Sequence, residues 1–93
     1  MSPSSDPALP MVEIPVRLPA HLHARPAGRV VKVAAGYAAS VDVRFGTRTA
    51  PARSVLALMA LGATAGETVV VRADGPDATA AAAEVAAVLE SAE

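Results

Sequence analysis

The sequence predicts an α+β domain in which helices cover one face of an antiparallel sheet. Three observations predict it. Apolar residues alternate with polar ones at Val12, Ile14, Val16 and Leu18, and again at Val41, Val43 and Phe45, the period of half-buried strands. Between them Ala27, Val30, Val31, Ala34 and Ala35 recur at i, i+3, i+4, i+7 and i+8, one buried face of a helix. Turn residues at Gly36, Gly46-Thr47, Gly62 and Asp74-Gly75-Pro76-Asp77 separate the segments. A chain of 93 residues makes one small domain. With one Phe, one Tyr and no Trp, its core must be built from small aliphatic side chains.

In chain order, residues 1–10 (MSPSSDPALP) are rich in Pro and Ser and read as a disordered tail, which leaves 11–93 as the domain. The first strand runs through Val12 to Leu18, and Pro15 within it predicts a side without a ladder partner. Pro19 to Leu22 is a loop into the first helix. Pro26 suits that helix's first turn, where its missing N–H costs nothing, and Gly36 is the expected C′ residue. A second strand covers Val41 to Phe45. A short third strand follows at about Arg48 to Ala52, placed at a sheet edge because Pro51 cannot donate. Ser54 caps a short helix that ends by Gly62. The fourth strand, Glu67 to Ala73, is β-branched on both faces at Val69, Val70 and Val71, which suits a central position. A turn and cap at Asp74 to Asp77 open a last helix that reaches about Ser91, with its apolar face at Ala81, Val85, Val88 and Leu89. The order is β-α-β-β-α-β-α.

Chemistry concentrates in the run His21-Leu22-His23-Ala24-Arg25-Pro26-Ala27. His23 stands at the mouth of the first helix, where unpaired N–H groups and the positive end of the helix dipole face outward. That is an anion site with a nucleophile in it, and it suggests phosphoryl transfer through histidine. A histidine beside a helix start is more often a plain surface residue, so the rest of the chain has to decide.

Leu22-His23-Ala24-Arg25-Pro26-Ala27 resembles the active-site signature of the HPr family, the histidine-containing phosphocarriers of the bacterial phosphoenolpyruvate-dependent sugar phosphotransferase system. Ala52-Arg53-Ser54-Val55-Leu56-Ala57-Leu58-Met59-Ala60-Leu61-Gly62 resembles the family's regulatory-serine segment, at a fitting distance from the first block. Gly36-Tyr37, Gly66 and Asp74-Gly75 fall where the family has turns. The resemblance implies an open-faced β-sandwich with strand order 1-4-2-3 and three helices on one face. It implies that enzyme I phosphorylates His23 on Nδ1 and that the phosphoryl group passes to enzyme IIA domains, so that the protein is a carrier and not a stand-alone catalyst. The alternative is a regulatory paralogue of a nitrogen-related phosphotransferase system that acts mainly by binding. Arg25 is the expected mobile cation at the site, with the backbone N–H groups of Ala24 and Arg25 as the phosphate cradle. Its charge and the helix N-terminus disfavour imidazolium, leaving neutral imidazole as the nucleophile.

A two-turn helix cannot bury every apolar side chain it carries, so some of Val55, Leu56 and Met59 are expected to lie outside as a docking patch. By resemblance Val55 and Met59, with Arg25, Arg29 and Arg53 around them, are contacts for enzyme I and enzyme IIA domains. Leu58 and Leu61 are expected in the core. Ser54 has two readings, a helix N-cap and, by resemblance, a site of regulatory phosphorylation by HPr kinase/phosphorylase. His21 also has two. The family usually carries glycine there, so the imidazole is either a surface substitution or a residue that modulates His23.

Charge is uneven. From Arg17 to Arg53 seven basic residues face one acid, Asp42, a net of +6; from Ser54 onward Arg72 faces six acids, a net of −5. A basic region of this kind suits acidic protein partners. The cations are dispersed and almost no aromatic is available to stack bases, which argues against nucleic acid. With no cysteine there is neither disulfide nor thiolate metal site, and His21 and His23 lack an acid to complete a ligand set. No cofactor is implied. No apolar run approaches the ~18 residues of a membrane span, and no secretory signal is visible. The expectation is a cytoplasmic monomer.

Overall fold

The computed structural model describes residues 11–93; the tail expected over residues 1–10 lies outside the described residues. The elements are β1 (Met11–Arg17), α1 (Ala24–Ala34), β2 (Ser40–Phe45), β3 (Arg48–Pro51), α2 (Val55–Ala60), β4 (Thr68–Asp74) and α3 (Ala78–Glu90). The strands form one sheet of order β1-β4-β2-β3, antiparallel at every pairing. This is the open-faced sandwich that the resemblance implied.

Prolines and valines explain the order. Pro15 and Pro51 sit in the two edge strands, where a missing donor is tolerated. β4 lies between β1 and β2, and its Val69, Val71 and Ala73 are buried toward the helices. Beneath the helices lies an aliphatic core of Val16, Leu18, Val30, Val43, Leu58, Val85 and Leu89, with alanines filling the remaining space. α3 buries Ala78, Ala81, Ala82 and Ala86 and packs on β1, β4 and α1. Its methyl side chains let the helix lie close to the sheet in a chain with so few large side chains.

Three details refine the expectations. β4 starts at Thr68 because Glu67 is spent on a turn, in which its carboxylate accepts from the Thr64 N–H and hydroxyl, both at 2.8 Å. α1 ends at Ala34 with Ala35 as its C-cap, so Gly36 is the C′ residue as expected, although it is not in the left-handed region. Bonds from the Gly36 N–H to the Val33 carbonyl and from the Tyr37 N–H to the Ala34 carbonyl tighten its last turn, and the Arg53 guanidinium donates to the Ala34 and Tyr37 carbonyls at 3.3 and 2.6 Å. A cation thus serves the helix's negative end, where the C′ glycine is not left-handed.

Asp77 precedes α3 but makes no side-chain bond to it. Its carboxylate accepts from the Ala38 and Ala39 N–H groups at 2.9 and 2.7 Å. Those amides, Ala38's first, hold the Asp77 carboxyl below the ordinary carboxylate range. Gly75 permits the approach, since a Cβ there would stand 2.8 Å from the Ala39 Cα. Nearby, the Tyr37 hydroxyl donates to Glu84, a bond that pushes the phenol above its ordinary value. Two contacts therefore tie the segment between α1 and β2 to the start and middle of α3.

Candidate functional site

The loop before α1 is pinned before it delivers His23. Leu18 and Leu22 are buried, and backbone bonds run from Leu18 N–H to the Glu67 carbonyl, from Gly66 N–H to the Leu18 carbonyl and from Leu22 N–H to the Ala63 carbonyl. Between Leu22 and Pro26, which are both buried, His23 is half-buried and Ala24 and Arg25 are exposed. His23 is the N-cap of α1, with φ −93° and ψ −169°, and its own carbonyl accepts the first helical bond, from Ala27 N–H, at 3.1 Å.

The two ring nitrogens of His23 face different groups. Nδ1 accepts from the Arg25 N–H at 3.4 Å, as an Asp or Ser oxygen does at an ordinary N-cap. Nε2 lies 2.8 Å from the backbone oxygen of Glu93, an atom that can only accept. Together these contacts require the neutral Nε2–H tautomer, with the Nδ1 lone pair turned to the mouth of the helix. At 3.4 Å its bond to Arg25 is long and readily given up. A second imidazole adjoins this one. The His21 and His23 rings stand 4.6 Å apart, tilted by 47°, across a tight turn in which the His23 N–H donates to the His21 carbonyl at 3.0 Å.

Charge follows the exposed side of α1. Arg25, Arg29 and Lys32, at spacings of four and three residues, form a cationic stripe along one helix face. Among the described residues neither salt bridge involves Arg25 or Arg29; the pairs are Arg44–Glu13 and Arg72–Asp74, both 3.5 Å. Arg53 is exposed as well, but its guanidinium is held by the carbonyls at the end of α1.

α2 lies beside α1 and runs against it. Arg53, before α2, reaches the end of α1, while Ala63, after α2, binds Leu22 at its start. Ser54 and His23 are consequently at opposite ends of α1, whose 11 residues span about 16 Å. Ser54 caps α2 by accepting from the Ala57 N–H at 3.1 Å. On α2, Leu58 is fully buried and Leu61 nearly so, whereas Leu56 is 79% and Met59 40% exposed and Val55 is half-buried. Met59, in the last turn, is toward the His23 end.

Sequence reasoning missed the Glu93 oxygen on Nε2 and the Arg53 anchor, and left open a third feature, the contact between the imidazoles. The first is a backbone atom 70 residues away and leaves no residue-type signal. The second follows from the antiparallel placement of α2. Only the third had a signal, in the spacing of His21 and His23. Among the described residues no three His, Asp or Glu side chains gather as a metal site, and no helix is long and apolar enough to cross a membrane.

Comparison with known proteins converges on one family. Residues 11–91 match the family model described as the PTS HPr component phosphorylation site. The chain is 41% identical over 76 residues to a multiphosphoryl transfer protein of Xanthomonas campestris, covering 82% of this chain but only 9% of that much longer protein. It is 34% identical over 76 residues to the phosphocarrier protein HPr of Chlamydia muridarum, covering 82% of this chain and 73% of that one. The structure of HPr from Bacillus anthracis superposes with a TM-score of 0.78 at 30% identity, covering 85% of this chain and 96% of that one. By its matched residues, its relatives and its strand order, the chain belongs to the HPr family of phosphotransferase-system phosphocarriers.

Proposed function

We propose that this chain is a cytoplasmic phosphocarrier that accepts a phosphoryl group from phospho-enzyme I on His23 Nδ1 and passes it to enzyme IIA domains. The observation that carries this reading is the His23 ring itself: its Nε2–H faces the Glu93 oxygen, and its Nδ1 lone pair opens onto the N-terminus of α1. In the transfer, the Nδ1 lone pair forms a bond to phosphorus as the donor's P–N bond breaks. That bond's electron pair returns to the donor imidazole. His23 keeps its Nε2 proton throughout, and the positive charge that develops on the ring is balanced by the phosphoryl oxygens. Delivery to the next protein repeats the exchange with His23 as the leaving group, so the chain carries the group and does not catalyse alone.

The N–H groups of Ala24 and Arg25 and the Arg25 guanidinium then face the phosphoryl oxygens, where charge-assisted bonds and the helix dipole stabilise them. An exposed arginine suits this role because it can follow the group without holding it. Leu56, Met59 and the accessible part of Val55 offer apolar surface on α2, and Arg25 and Arg29 offer charge on the neighbouring α1, a combination that suits partners bearing an acidic rim around an apolar centre. Arg53 contributes at the opposite end, beside Ser54. Phosphorylation of Ser54 by HPr kinase/phosphorylase would add about −1.5 to −2 charges there. A helix N-terminus tolerates that charge, and its effect falls on whatever docks over α1 and α2.

The test is intact mass after incubation with phosphoenolpyruvate and the enzyme I of the same host, with His23→Ala alongside. An acid-labile gain of one phosphoryl group in the unaltered protein and none in the variant is the expected result. No gain beside a demonstrably active enzyme I would redirect the reading to a regulatory paralogue that works by binding.

A further inference from the structure

The geometry points to His21 as a second imidazole of the phosphoryl site, one that in its protonated form donates a hydrogen bond to a phosphoryl oxygen carried by His23. This inference rests on His23 being the acceptor. Three observations support it. The rings stand 4.6 Å apart, so one charge-assisted bond of about 2.7–2.9 Å is enough to link the His21 ring to an oxygen of that group. The turn closed by the His23 N–H and the His21 carbonyl, with buried Leu22 between them, fixes both residues on one rigid loop. His21 is exposed, and among the described residues its ring makes no hydrogen bond, whereas both His23 nitrogens are engaged.

The other charged groups on the elements around this loop are Arg17, Arg25, Glu67 and Glu93. Both arginines keep their charge across the range in which an imidazole titrates. A pH dependence in phosphoryl retention near neutrality can come from the imidazoles and from the phosphoryl group itself, so the variants below isolate the part that His21 carries. When the carrier loses its group to water, the P–N bond breaks, its pair returns to His23 Nδ1, and a water oxygen bonds to phosphorus with release of a proton. A donor on the phosphoryl oxygens stabilises the charge before that step and slows it.

The experiment loads the unaltered protein, His21→Ala and His21→Gln with phosphoenolpyruvate and enzyme I, removes enzyme I, and follows retained phosphate by intact mass and 31P NMR from pH 6 to 8. All three should take up the group. Near pH 6 His21→Ala should lose it about three- to tenfold faster than the unaltered protein, a gap that narrows toward pH 8. His21→Gln, a neutral donor, should fall between and show no such pH dependence. The 31P titration of the unaltered protein should be displaced from those of both variants. Equal decay rates and superimposable 31P titrations would overturn the role of His21 while leaving His23 as acceptor. Label found on His21 in a His23→Ala protein would overturn it too, making His21 an acceptor. No label on the unaltered protein would remove the phosphocarrier reading and this inference with it.

Discussion

The starts of α1 and α2 solve the same problem with different side chains. Each helix leaves its first N–H groups without internal partners, and each is capped from the preceding residue. Ser54 does so at 3.1 Å with an oxygen that has no other assignment in the unmodified protein. His23 does so at 3.4 Å, with a ring nitrogen whose counterpart faces the Glu93 oxygen. The serine closes its helix. The histidine closes its helix loosely and keeps an oriented lone pair at an exposed, positively polarised mouth. On the proposed reading, the same physics that ends a helix also prepares a nucleophile, because the cap is weak and the rest of the ring is held from outside.

The comparison makes predictions that can break it. The largest effect is on chemistry: His23→Ala should abolish phosphoryl uptake from enzyme I while costing no more than about 1 kcal/mol in denaturant unfolding, the usual magnitude of a lost cap. A variant that fails to fold would mean that the His23 cap is as structural as that of Ser54. Next is the helix behind the serine. Leu58→Ala, at a fully buried position, should lower stability by about 2–5 kcal/mol. Leu56→Ala, largely exposed, should stay within about 0.5 kcal/mol and weaken association with enzyme I, measured by calorimetry.

Ser54→Ala is the mirror of the first variant. It should cost about 1 kcal/mol in the same unfolding assay and leave the mass gain on His23 unchanged. Loss of labelling in Ser54→Ala would join two sites that stand at opposite ends of α1. The smallest effect concerns the residue that caps across the fold. Because the Ala38 and Ala39 amides lower the Asp77 carboxyl in the folded protein, its contribution is present above the ordinary carboxylate range and is lost as pH falls through and below that range. Unfolding midpoints measured from pH 7 down to 3 should drop less steeply in Asp77→Ala than in the unaltered protein.

How much was legible follows from the range of each interaction. β2 and the edge placement of β3 came from alternation and Pro51, and the central position of β4 from its run of valines. The face of α1 came from its period, the cap at Ser54 from residue type and position, and the place of His23 at the mouth of α1 from Pro26 and the residues after it. All of these depend on neighbours within a few residues. Asp77 shows where such reading stops. Its type and place suggest a cap for α3, yet the tertiary structure turns its carboxylate to amides 38 and 39 residues away. Arg53 reads as a free surface cation, and the packing of α2 against α1 brings it to the carbonyls ending α1.

The sequence by itself thus determined the elements, their order, the edge and central strands and the residue with nucleophilic potential, because periodicity, turn chemistry and capping are local. Only the tertiary structure decided that α1 and α2 run antiparallel, that Ser54 stands a helix length from His23, and that Glu93 returns to set the tautomer of the ring. It also decided that His21 lies against His23 and does not point away. Such outcomes depend on how packed surfaces bring distant backbone and side-chain atoms within bonding distance, and no short window of residues contains that information.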